Sequence, residues 1–360
     1  MAKERLYRNI AVVGASGGGV EALQKLVAAL PTDYRGTLFV VLHVPPDSPS
    51  LLARILDRAG PLPAQAAFDG ATFEPGQIWV SQPDRHLVLE KGCMRLAHGP
   101  RENRHRPAID VLFRSAAIAY GPRVTGVVLT GSLDDGAAGL WAIKMRAGVT
   151  IVQDPADALY PEMPQNALDT VDVNHCLPLA QIPGALVRLA CEVALPGGAE
   201  PDSRMELEVT MASQSSATID QLDEIGTRSE LTCPECGGAL WQMEDPPPRF
   251  RCHVGHGYTM KSLISAQTER VESALWAGLR GLEESEALAR RLAEGARERG
   301  HDRSALQYDE RAREDADHAQ VLRQMLRTIP HEVSALGASG GIGEEPALAS
   351  GASPEGQTVE

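Results

Sequence analysis

The sequence predicts an α/β fold, a doubly wound and mainly parallel sheet, followed by a small cysteine-rich module and a helical hairpin. Three observations predict it. Residues 10–13, 38–44, 124–130 and 149–153 are short continuous apolar runs, the pattern of strands buried on both faces. Apolar residues at helical spacing, such as Val20, Leu23, Leu26, Val27 and Leu30, fill the segments between them. Cysteines and histidines then cluster between residues 233 and 256, ahead of two long amphipathic runs.

The elements follow in order. Helical patterns cover 51–56, 108–119 and 137–147, while 78–81, 87–89 and 93–96 read as short strands. The strands between 66 and 97 suggest an antiparallel insertion or edge. Residues 194–228, rich in Gly, Ser, Pro and acidic side chains, read as a linker. The cysteine module occupies 229–257. Two helical runs then form a hairpin over 258–329, either folded on itself or dimerising with a second copy. The tail, 330–360, has a composition that predicts disorder.

Composition narrows the function. Of 360 residues, 43% are hydrophobic but only 4% aromatic, so the core is aliphatic and rich in alanine. A net charge of −14 disfavours nucleic acid and anionic membrane surfaces, and the one short basic cluster is 101–106. No run approaches the ~18 apolar residues of a membrane span, and no signal peptide opens the chain. Cys93, Cys176 and Cys191 are scattered while Cys233, Cys236 and Cys252 sit with histidines, which suits a reducing cytosol and one metal site.

The chemistry concentrates at predicted carboxyl ends of strands, where open parallel sheets bind ligands. Gly14-Ala15-Ser16-Gly17-Gly18 forms a tight turn between the first strand and a helix, exposing the Ser16 hydroxyl beside unpaired amides. A dinucleotide-binding loop has a similar look, but it expects an acid at the end of the second strand. That strand ends instead in His43, and Asp47 lies beyond two prolines. The third strand runs into Gly131-Ser132-Leu133-Asp134-Asp135-Gly136. Either aspartate could cap the next helix. With Ser16 and His43 at equivalent strand ends, the three types read as a triad: a serine nucleophile, an imidazole base, and a carboxylate fixing the imidazole tautomer. The order Ser, His, Asp differs from that of α/β-hydrolases.

Val13-Gly14-Ala15-Ser16-Gly17-Gly18, the strand ending in His43, Pro83-Asp84-Arg85-His86-Leu87, Asn103-Arg104-His105-Arg106-Pro107, Asp110-Val111-Leu112-Phe113 and the stretch from Leu129 through Gly139 together resemble the CheB-type protein-glutamate methylesterases. The resemblance covers residues 8–193. It implies a Rossmann-like catalytic domain that hydrolyses glutamate methyl esters on chemoreceptors, releasing methanol, with glutamine deamidation in many members. It maps nucleophile, base and orienting acid onto Ser16, His43 and Asp135, and it implies no catalytic cofactor. Backbone amides near Gly17 are candidate oxyanion donors. Arg104 and Arg106 belong either to the site or to an exposed basic loop.

Three departures stand out. Gly17 replaces a threonine common in the family. Gly131-Ser132-Leu133 replaces Gly-Met-Gly. The chain also begins almost at the catalytic strand, where well-known members carry a phospho-receiver domain. A second reading is therefore a catalytically altered scaffold in a signalling complex.

Cys233-Pro234-Glu235-Cys236 followed by Cys252-His253-Val254-Gly255-His256 offers three thiolates and an imidazole, a tetrahedral Zn²⁺ set. Adjacent side chains rarely share one metal, so His256 rather than His253 is the expected fourth ligand. Four protein ligands make a closed, structural site, and a redox dithiol is the rival reading. The expected partner is a methylated chemoreceptor or similar signalling protein, met in the cytoplasm, with no nucleic acid, no membrane insertion, and a homodimer through the C-terminal helices as the further partner.

Overall fold

The computed structural model describes residues 6–201, 203–214, 218–243 and 247–329. The predicted tail, 330–360, lies outside the described residues. A seven-stranded sheet forms first, with helices on both faces. Its elements are β1 (Ile10–Ala15), α1 (Gly19–Ala28), β2 (Thr37–Leu42), α2 (Leu52–Ala59), β3 (Ala64–Ala66), β4 (Ile78–Val80), the hairpin β5 (His86–Glu90) and β6 (Cys93–Ala97), α3 (Ile109–Tyr120), β7 (Val124–Val128), α4 (Ala137–Met145), β8 (Val149–Gln153), α5 (Glu162–Thr170), β9 (His175–Leu177) and α6 (Ile182–Ala190).

The sheet order is β3-β4-β2-β1-β7-β8-β9, and every pairing is parallel. The strands alternate faces as the pleat requires. Ile10 and Val12 join a core with α3, α4 and α5, while Ala11, Val13 and Ala15 join one with α1, α2 and α6. Only part of the expected 66–97 insertion is antiparallel. β3 and β4 extend the parallel sheet, and β5 pairs with β6 in a separate two-stranded hairpin. Such short runs carry no sign of strand direction, because direction is set by which neighbour each strand meets.

The chain leaves β1 to one side and returns at β7 on the other, so strand order reverses beside β1. That is the switch point where a crevice opens beyond the strand ends. Two glycines shape it. Gly18 has φ 71°, the left-handed conformation that ends the turn before α1. A Cβ on Gly14 would come within 2.3 Å of Ile109 Cγ2, so this glycine lets the start of α3 lie against the strand.

The expected linker, 194–228, is corrected. Within it α7 (Ser203–Gln214) and α8 (Ile219–Ile225) are helices, with Met211, Leu222 and Ile225 buried beside Trp241 and Met243. The small and acidic residues that suggested a linker include Glu208, which is 1% exposed and serves as a buried ion-pair partner. The module is a four-stranded antiparallel sheet of β10 (Gly226–Thr232), β11 (Ala239–Met243), β12 (Arg249–Cys252) and β13 (Gly257–Thr259). Helices α9 (Met260–Glu298) and α10 (Asp302–Thr328) follow. Ser285 reaches Asp315 and Arg323 pairs with Glu283, so they run antiparallel, with Ala289, Ala293, Ala305, Ala312 and Ala319 buried.

The module is fastened to the α/β domain by five buried charges. Arg114 on α3 donates to both oxygens of Glu102 at 2.8 Å, and Arg251 donates to Glu102 at 2.8 Å and to Glu208 at 3.2 Å. Arg249 donates to both Glu208 oxygens, at 2.7 and 2.8 Å. The Arg114 and Arg251 guanidiniums hold the Glu102 carboxyl far below the usual carboxylate range despite its burial. Removing one member strands a charge away from water, at a typical cost of about 3–5 kcal/mol. Arg114→Met is therefore expected to lower unfolding stability by about 3–5 kcal/mol in urea denaturation. Arg323→Ala, from an exposed pair, should change it little.

Candidate active site

Ser16, His43 and Asp135 come from the ends of three adjacent strands. In the register of β1 and β2, Ala15 lies opposite Leu42, so the next residues, Ser16 and His43, emerge side by side. The Ser16 N–H donates to Thr130 O at 3.0 Å and the His43 N–H to Ala15 O at 3.2 Å, fixing both backbones to the sheet. Asp135 follows β7 and is buried. His43 Nε2 and Asp135 Oδ2 are 2.7 Å apart.

Asp135 is held from several sides. Its Oδ2 also accepts from the Ile109 N–H at 2.7 Å, and its Oδ1 from the Asp110 N–H at 3.1 Å and from Asn103 Nδ2 at 2.9 Å. Asp134 turns elsewhere and accepts from Thr259 Oγ1 at 2.7 Å. Neither aspartate side chain caps α4, whose N-cap is Gly136 with φ 98°. The His43 ring is stacked on His105, with centroids 3.6 Å apart. With Nε2 engaged by Asp135, Nδ1 is the remaining ring nitrogen, and it is buried with no hydrogen-bond partner among the described residues. Ser16 is half-buried and lines a cleft of about 870 Å³. The amides of Gly17 and Gly18 donate to no described residue, which leaves them as candidate oxyanion donors.

Burial sets the charges. It pushes the His43 imidazole down to about 3 and the Asp135 carboxyl up to about 6. Hydrogen bonds from Asn103, Ile109 and Asp110 restrain the rise of Asp135. Near neutral pH the pair rests as carboxylate and neutral imidazole. Nε2–H then donates to Asp135 and Nδ1 is the free base.

Several residues placed around this site escaped the sequence reading. Asn103, His105 and Asp110 lie in stretches that carried the family resemblance, but spacing alone gave them no role. The far wall of the cleft was not foreseen at all, because it comes from the C-terminal half: Glu235, Ser265, Glu269 and Arg270. Arg104 reaches across to Ser265 and Glu269. Arg106 is tied to Asp84 and to Gly99 O. Both arginines also line the cleft. At Gly17 a Cβ would come within 2.9 Å of the Tyr160 ring, so Tyr160 fills the space into which the family's threonine would project.

Cys233, Cys236, Cys252 and His256 come together as well, their ligand atoms all within 4.8 Å of one another. Cys236 and Cys252 sulfurs are 3.7 Å apart, and His256 Nδ1 lies 3.7 and 3.5 Å from Cys233 and Cys252. A tetrahedral ion with Zn–S bonds of ~2.3 Å places its sulfurs about 3.8 Å apart, so the donor set fits. His256 Nε2 meets Glu235 at 3.3 Å, the outer carboxylate that orients a ligand imidazole. His253 is exposed and outside this group.

Residues 11–186 match the family model described as CheB methylesterase. A relative from Leptospira interrogans is 35% identical over 179 residues, which are 49% of this chain and 93% of that one. The chain belongs to the CheB methylesterase family. Protein-glutamate methylesterase/protein-glutamine glutaminase 5 of Anaeromyxobacter dehalogenans is 41% identical over 184 residues, 50% of this chain and 51% of that one. The chain thus spans about half the length of that relative. The crystal structure of the Thermotoga maritima CheB methylesterase catalytic domain matches with 30% identity and a TM-score of 0.49, covering 50% of this chain and 98% of that one. The CheB match ends at residue 186, so the cysteine module and the hairpin lie beyond it.

The site makes a prediction that needs no substrate. A fluorophosphonate should label Ser16, with a rate that falls on the acid side around pH 6, as protonation of Asp135 turns it into a donor toward Nε2 and leaves the proton on Nδ1. Because the Asp135 pKa is raised, the loss begins at higher pH than for an ordinary carboxylate. Mass spectrometry of the labelled peptide across pH 4–9 (roughly the range where carboxylates and imidazole titrate) measures it.

Proposed function

We propose that this chain is a protein-glutamate methylesterase with Ser16 as nucleophile, His43 as general base and acid, and Asp135 as the orienting carboxylate. The observation that carries the proposal is the buried 2.7 Å His43–Asp135 contact at the strand end next to Ser16. His43 Nδ1 takes the Ser16 proton as Oγ attacks the ester carbonyl. The tetrahedral oxyanion is met by the amides of Gly17 and Gly18. Collapse expels methoxide, which His43 protonates to methanol, leaving a glutamyl ester on Ser16. Water, deprotonated by His43, then hydrolyses that ester and frees the glutamate carboxylate and Ser16. A glutamine side chain would pass through the same acyl-enzyme with ammonia leaving, consistent with the paired name of the Anaeromyxobacter relative.

The expected substrate is a methylated chemoreceptor or a similar signalling protein. Among the described residues no helix is long and apolar enough to cross a membrane, and the free cysteines fit a cytoplasmic setting. Leu288, Leu292 and Val321 stand exposed on the hairpin, where a homodimer through these helices would cover them. The cysteine module would hold Zn²⁺ through Cys233, Cys236, Cys252 and His256, as a closed structural site that supplies folding energy and takes no part in the hydrolysis.

Methanol release from methyl-labelled receptor membranes tests the activity. Wild type should release it and Ser16→Ala should release none above background. Silence from a folded, metal-loaded wild type would favour the scaffold reading. Elemental analysis of the purified chain should find one zinc, and Cys236→Ser should lose it.

A further inference from the structure

Asn103 is 3% exposed and sits between the two halves of the chain. Its φ of 51° is in the left-handed region, which asparagine tolerates better than most residues. Its amide is fully used. Nδ2 donates to Asp135 Oδ1 at 2.9 Å and to Asp110 Oδ2 at 2.8 Å. Oδ1 accepts from the Thr259 N–H at 3.0 Å and from Ser262 Oγ at 3.2 Å. A backbone N–H can only donate, so Thr259 fixes which end of the amide is oxygen and thereby aims the NH₂ at the two carboxylates.

We propose that Asn103 is a positioning residue for the esterase reaction, and that the C-terminal segment is what aims it at the catalytic carboxylate. This rests on the triad reading above.

Thr259 and Ser262 form the capping box of α9: Thr259 Oγ1 accepts from the Ser262 N–H, and Ser262 Oγ accepts from the Thr259 N–H. The same Thr259 hydroxyl donates to Asp134. The backbone repeats the link. Asn103 N–H donates to Gly257 O at 2.8 Å and Gly257 N–H to Arg101 O at 3.1 Å, so residues 101–103 run alongside β13. Gly257 directly follows His256 of the cysteine group. A continuous set of hydrogen bonds therefore runs from the module to the triad.

The chemistry explains why an amide is needed. Asp135 is faced by His43 from the end of β2, by Asp110 and the amides of α3, by Glu102 and Asn103 from the 101–106 loop, and by its neighbour Asp134. His105 covers the far side of His43. Crowded, buried carboxylates hold protons. Among the described residues the Asn103 NH₂ is the one side-chain donor shared by Asp110 and Asp135, and it favours the ionised form of Asp135 that the His43 tautomer requires.

The test uses the full chain, with methanol release and fluorophosphonate labelling followed across pH. In Asn103→Ala the acid limb of both profiles should move up by about one pH unit, because one hydrogen bond to the charged form is lost. Its kcat near neutral pH should fall about tenfold, with KM little changed. Ser262→Ala keeps Asn103 and removes one of the bonds that aim it, so it should shift the limb the same way by less. This second variant decides the matter should Asn103→Ala fail to fold. A folded Asn103→Ala, or failing that a folded Ser262→Ala, with the wild-type acid limb overturns the inference. Ser16→Ala separates the two readings: if it stays active the triad reading falls and this one with it, whereas if it is dead while the Asn103 profile is unmoved, only this inference fails.

Discussion

The buried charges of Glu102, Arg114, Glu208, Arg249 and Arg251 are the constraint on which the arrangement of this protein depends. Each partner is meaningful only because the others are present. Glu102 stands on the loop beside Asp135, Arg114 on a helix of the α/β domain, Glu208 on α7, and the last two arginines on one strand of the cysteine module. Charges so far from water tolerate no loose partner. The cluster therefore fixes four segments against each other, and the two halves of the chain share an interior rather than touch at a surface.

The consequence reaches the site. A doubly wound sheet delivers Ser16, His43 and Asp135 to neighbouring strand ends, and that geometry is complete within the CheB-matched residues. The shape of the cleft is not. Loop 101–106 is gripped on one side by Asp84 and on the other by β13 and α9, so His105 stacks on His43 and Asn103 meets Asp135 at positions the module helps to hold. Arg104, joined to Ser265 and Glu269, crosses the cleft itself. The cleft beside Ser16 thus lies between a wall from the α/β domain and a wall from the C-terminal segment.

The cysteine group suits this architecture. Its sheet has a small core, chiefly Leu240, Phe250, Tyr258 and Leu263. A bound ion would fix the turns at Cys233 and Cys252 that such a core cannot fix alone. Because β12 carries both a candidate ligand, Cys252, and two arginines of the buried cluster, order in the one supports order in the other.

The sequence by itself determined the α/β class, the three strand-end residues and the cluster of three cysteines and a histidine that could hold a metal. Apolar runs and Gly-rich turns are local patterns, and a strand end can be read without knowing its neighbours. Strand direction across 64–97 was not legible, nor were helices α7 and α8, whose acidic and small residues look solvated until Glu208 finds its arginines. Asn103 looked like one polar residue in a basic loop. Only tertiary structure decided its role, because its four hydrogen-bond partners come from positions 110, 135, 259 and 262. A buried polar contact between residues so distant in sequence leaves no periodic trace in the chain. It exists only once the fold has removed water from both.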